Sequence, residues 1–184
     1  MSMPLFRAGF ILVLVAAAWS ARADIQAASS DSFVISYSQR IDATPATVYA
    51  ALPAIDRWWT SEHTWSGDAA NLSLKAEAGA CFCERWKDGS AEHGRVVMAL
   101  RNQTLRLQTA LGPLQGKALN GVLTFQLMPD AKGGAAATVL TMTYVVSGAS
   151  ASALDKIAPP VNEVLGEQFG RLVRFIQTGK PSAP

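Results

Sequence analysis

Side chains that build nucleophilic enzymes and stapled secreted scaffolds are scarce in this chain. Its 184 residues hold two cysteines and two histidines, too few to cross-link a chain of this length, and their spacing matches neither a zinc finger nor a CxxC redox motif. There is no Ser/His/Asp signature and no glycine-rich phosphate loop. Charge is also thin, at 16% of residues against the roughly 25% usual for a globular domain. Of 16 Lys and Arg, only Arg7 and Arg22 precede the first acid, Asp24, and the other 14 are matched by 14 Asp and Glu. A body that is neutral and has no basic cluster offers no footprint for phosphate backbones, which excludes DNA and RNA as partners. No apolar run reaches the ~20 residues a membrane-spanning helix needs.

What is present is apolar. Hydrophobic residues make up 49% of the chain, which excludes disorder. The longest uninterrupted stretch is Ala8 to Trp19, preceded by Arg7 and followed by Ala21-Arg22-Ala23. One positive charge, a short apolar core and small residues at the two positions a signal peptidase reads predict a signal peptide over 1–23, cleaved after Ala23. The mature product is then periplasmic or secreted, with no membrane span, and the alanine-rich run suggests bacterial export. Residues 24–32 are small and polar and read as a flexible leader; 33–180 form one domain.

Within that domain Phe33 to Ile41 alternates as a strand does. Thr44-Pro45 opens a helix, with a capping hydroxyl before a residue of helical φ, and Pro53 ends or kinks it. Strand patterns then recur to Val146, at 81–86, 91–100, 105–110, 119–127 and 138–146, after a short Leu72-Leu74 piece. The connections are too short for helical crossovers, so the strands form an antiparallel meander. Leu154 to Ile176 repeats apolar residues at spacings of three and four. Pro159 and Pro160 place a start or kink there, with a long helix from Pro160 to about Gln177. The fold class is α+β, an antiparallel sheet whose apolar face is covered by that C-terminal helix.

On Ile41-Asp42-Ala43-Thr44-Pro45 with Val48 and Tyr49, Trp58-Trp59, Gly79, Gly94-Arg95-Val96, Gly112-Pro113-Leu114, and Val164-Leu165 with Gln168, Arg171 and Leu172, the chain resembles the helix-grip (SRPBCC, START-like) superfamily. That superfamily includes polyketide cyclases and Bet v 1-like proteins. The branch it looks most similar to is that of the C-terminal domain of the Hsp90 ATPase activator. The resemblance covers nearly the whole mature chain. It implies a sheet wrapped around a long C-terminal helix with an internal hydrophobic cavity; activities in the superfamily are diverse.

The function expected is binding of a small hydrophobic molecule between sheet and helix, with walls from Leu123, Phe125, Met142, Tyr144, Leu165, Phe169 and Leu172. Gln168 sits in the apolar sector of the helix and needs a partner, either a ligand or a strand carbonyl or water. Tyr144 is a second polar group, and Trp58 and Trp59 either line the entrance or close the core. The alternatives are a cyclase- or lyase-type enzyme in the same cavity, or a chaperone-linked interaction module. If Asp88-Gly89 is a type I′ turn, Glu84 lies opposite His93, a carboxylate beside an imidazole. Patterning puts Cys81, Cys83, Val96, Met98 and Leu100 on the apolar face and leaves Glu84 and His93 on the solvated one; a one-residue bulge would reverse this. Cys81 and Cys83, about 6.5–7 Å apart along a regular strand, are expected as buried thiols rather than a disulfide. A metal site using Cys81, Cys83, His63 and His93 would draw on both faces of one hairpin, so neither metal nor cofactor is expected.

Overall fold

The computed structural model describes residues 22–130 and 137–182. The proposed signal peptide lies outside them except for its last two residues. Strands β1 (Arg22–Ala28), β2 (Ser32–Ile41), β3 (Leu72–Ser73), β4 (Cys81–Trp86), β5 (Gly89–Leu100), β6 (Thr104–Thr109), β7 (Asn120–Pro129) and β8 (Thr138–Ser147) form one open antiparallel sheet in the order β1-β2-β8-β7-β6-β5-β4-β3. Helices α1 (Pro45–Ala51) and α2 (Ile55–Trp58) lie between β2 and β3, and α3 (Leu154–Thr178) closes the chain. The α+β class and the single long C-terminal helix against an antiparallel sheet are as expected.

Alternation sets the core. Tyr37, Met142, Phe125 and Leu105 stand in register across β2, β8, β7 and β6, and Ile35, Tyr144, Leu123 and Leu107 form the next row. All eight are buried. Helix α3 lays Leu154, Ala158, Leu165, Phe169, Leu172 and Phe175 on this surface, and Phe169 stacks on Tyr37 with ring centres 5.5 Å apart. Gly166 makes the close approach possible, because a Cβ there would stand 3.3 Å from the Tyr37 ring. The Tyr37 hydroxyl donates to Asn162 on α3, and burial pushes its pKa up to about 12. Thr44 caps α1 by accepting from the Thr47 N–H at 3.2 Å, with Pro45 in the first turn.

Two expectations change. Residues 24–28, read as a flexible leader, belong to β1, which pairs with β2 from Arg22–Ser38 to Ala28–Phe33; a polar, small-residue edge strand lacks the alternation that would have marked it. Helix α3 begins at Leu154, not Pro160. Both prolines lie inside it on exposed positions, where water can take the carbonyls that their missing N–H groups release. Gly179 at φ 76° ends it, donating to the Phe175 carbonyl.

Candidate functional site

The β4–β5 hairpin decides the site. Its turn is Lys87-Asp88, with Trp86 paired to Gly89 and Glu84 to Ala91, so the expected Asp88-Gly89 turn and the Glu84–His93 pairing are both corrected. A bulge between Phe82 and Cys83 then leaves His93 as the extra residue of β5, between Glu92 and Gly94. A bulge shifts alternation by one and turns the face over. As a result Phe82, Glu84 and His93 point inward and are 1, 0 and 6% exposed, overturning the expectation that the dyad is solvated. A second irregularity at Val97 puts Met98 and Leu100 on the exposed side rather than the apolar one. The expectation of two free thiols is corrected as well: Cys81 and Cys83 form a disulfide, their Cα atoms only 5.3 Å apart where the strand bends at the bulge. Glu92 brings a third donor within 4.8 Å of the two sulfurs, but the sulfurs are bonded to each other and Glu92 pairs with Arg95.

His93 Nε2 lies 2.9 Å from Glu84 Oε2. The same carboxylate accepts the backbone N–H of Trp65 at 3.0 Å and of Ser66. Burial by itself would raise the Glu84 pKa; the hydrogen bonds from Ser66, Trp65 and His93 outweigh it and hold the carboxyl below its usual range. Glu84 is therefore ionised, and an ionised carboxylate accepts only, so Nε2 carries the ring proton. The His93 carbonyl is fixed by the Thr109 hydroxyl, and its ring packs on Phe82, which meets Trp59 edge-on.

His93 lies at a cleft of about 530 Å³. One wall is the N-terminal half of α3, through Ile157, Pro160, Val161, Val164 and Leu165; the second is the turn after β6, through Leu111, Pro113 and Leu114; the third is the loop after α2, through Trp59, His63, Thr64 and Trp65. Trp65 is 52% exposed, and Glu62, Lys117 and Lys156 also border the cleft. His63 pairs with Glu167 at 3.3 Å.

Each wall is held by a buried polar group. The Gln168 side-chain oxygen accepts the Thr60 N–H at 2.9 Å, and Arg171 donates to the Trp58 and Trp59 carbonyls; α3 thereby grips the loop that carries Trp59. The Tyr144 hydroxyl donates to the Thr109 carbonyl and accepts from the Leu111 N–H. Gly121 lets that turn sit close, since a Cβ there would meet the Thr109 carbonyl oxygen at 2.1 Å.

Of the residues expected to bind a ligand, Trp59 and Leu165 line the cleft. Trp58 is in the core, its indole N–H donating to the Ala51 carbonyl. Leu123, Phe125, Met142, Phe169 and Leu172 fill the centre of the sheet–helix interface. Tyr144 spends its hydroxyl on protein partners, and Gln168 its side-chain oxygen, while Gln168 Nε2 is buried without a partner. Sequence reasoning missed Ile157, Val161 and Val164 as lining. Their signal was the breadth of the α3 stripe, wider than the sheet can cover. Trp65 gave a weaker one, an aromatic in a polar loop.

No family model matches the chain, and no curated protein does. Solved structures do match in shape. A Staphylococcus aureus protein of unknown function is 11% identical with a TM-score of 0.57, covering 81% of this chain and 96% of its own. CalU16 from Micromonospora echinospora is 15% identical with a TM-score of 0.56, covering 89% and 86%. An Arthrobacter aurescens protein is 15% identical with a TM-score of 0.56, covering 89% and 95%. The likeness is one of fold. At these identities it fixes the sheet-and-helix architecture and leaves function to the site.

Proposed function

We propose that this chain is an exported member of the helix-grip superfamily that binds one small, largely apolar molecule in the cleft between α3, the Trp59–Trp65 loop and the Leu111–Leu114 turn. The observation that carries the reading is the cleft itself. About 530 Å³ falls within the ~300–1,000 Å³ of small-molecule sites, and the walls are aliphatic and aromatic with few polar groups. Burying ligand surface supplies the affinity, at roughly 25 cal/mol per Å² before ordering costs. Export rests on the N-terminal sequence; cleavage after Ala23 would remove only the first two residues of β1. An interaction module would draw on exposed Val97, Met98, Leu100 and Met128, which lie outside the cleft.

Native mass spectrometry of protein from a periplasmic extract tests the reading. A co-purifying apolar mass, lost in Val164→Trp, is expected. No adduct, together with no thermal shift across a panel of neutral hydrophobic compounds, would contradict it.

A further inference from the structure

The Glu84–His93 pair is more than binding an oily molecule requires. Glu84 is completely buried yet receives two backbone N–H groups and an imidazole. That arrangement fixes the imidazole with its proton on Nε2, toward Glu84, and its lone pair on Nδ1. Among the described residues Nδ1 has no hydrogen-bond partner. Nor is it sealed away, since among the described residues Gln168 Nε2 is the one buried side-chain nitrogen or oxygen left without a partner. His93 borders the cleft, and Nδ1 is the ring nitrogen that Glu84 leaves unengaged. An oriented base with a buried carboxylate behind it and apolar walls in front is the geometry of general-base catalysis.

We propose that His93 is a catalytic base and Glu84 its positioning residue, acting on an apolar molecule that carries one proton an imidazole can take, such as a phenolic O–H or a C–H beside a carbonyl. The step is a proton transfer. The substrate X–H bond breaks, its electron pair stays on X, and the proton bonds to Nδ1, leaving an imidazolium held against the Glu84 carboxylate. A second transfer, to another atom of the same molecule or to water, restores the base. No oxidant, metal or cofactor enters the balance. The inference rests on the cleft being a binding site.

5-Nitrobenzisoxazole is a suitable probe, being flat, apolar and opened by loss of one C–H proton. The base takes that proton, the C–H electron pair completes a nitrile, the ring N–O bond breaks, and the oxygen leaves as a coloured phenolate. Quenching of the Trp59 and Trp65 fluorescence reports binding separately. Saturable turnover at least about 100-fold faster than the same concentration of free imidazole is expected. His93→Gln should lose about 100-fold in kcat with KM within about twofold. Glu84→Gln should lose at least about tenfold in kcat at unchanged KM, because its amide can donate to Nε2 and move the ring proton to Nδ1. Val164→Trp leaves the dyad intact and should abolish both quenching and turnover, which keeps the test decisive if His93→Gln does not fold. Binding without turnover above imidazole, or turnover unchanged in His93→Gln, would overturn the base and leave the binding site standing. No quenching at all would overturn both.

Discussion

Glu84 is stable as a buried anion because each direction of approach is met by a donor, and that has a consequence for pH. A carboxyl whose pKa is lower in the folded chain than in the unfolded one contributes stability above the unfolded pKa and loses it as pH falls through the folded one. Unfolding midpoints in urea should therefore drop as pH falls from about 5 toward 3, and more steeply in wild type than in Glu84→Gln. Parallel curves would show that the carboxylate is not held as described. Tyr144 works at the opposite end of the scale. Burial pushes its phenol to about 12, as it does that of Tyr37, so stability present below about pH 10 should decline between there and 12 as the unfolded chain ionises first. Absorbance titration should show both phenols ionising only near the upper end. Gln168, whose oxygen holds the Thr60 N–H, is a different case: Gln168→Leu leaves that buried N–H unpaired and should cost about 1–3 kcal/mol in urea unfolding.

Among the elements, those with strong alternation or helical period were legible. β4 and the capped start of α1 agree with the periodicity, and β2, β7 and β8 are recovered to within two residues. What escaped were irregularities that pattern cannot report. The bulge at His93 moves a whole face of β5, and it is this bulge, not any motif, that takes Glu84 from water into the core and His93 to the cleft. The sequence offered both residues and the condition that would bring them inside, but not the bulge. β1 escaped for want of alternation, and the first turn of α3 because two prolines suggested an end where exposed carbonyls tolerate them. The core face of α3 has its own test. Gly166→Leu drives a side chain into the Tyr37 ring and should cost more than about 2 kcal/mol despite leucine's better helix propensity, whereas Tyr37→Phe loses one hydrogen bond and should cost about 1 kcal/mol.

Over the whole molecule, apolar surface exceeds what one sheet and one helix can bury against each other. The centre of the interface closes completely, around Phe125, Met142, Phe169 and Leu172, and the surplus on the N-terminal half of α3 is left facing two loops across a cleft. Those loops are held from behind, by Gln168, Arg171 and Tyr144, so the opening is built into the fold. No helix among the described residues is long and apolar enough to cross a membrane. A neutral aromatic burying ~300 Å² in the cleft would gain roughly 7 kcal/mol before ordering costs, which sets about 10 μM as the tightest dissociation constant and leaves a range on the order of 0.01–10 mM once those costs are met. Fluorescence titration with N-phenyl-1-naphthylamine is the most direct measurement. Saturable one-to-one binding in that range is expected, abolished by Val164→Trp in the cleft and unaffected by Met128→Ser on the far side of the sheet. Absence of saturable binding, or equal binding by the Val164→Trp variant, would contradict it.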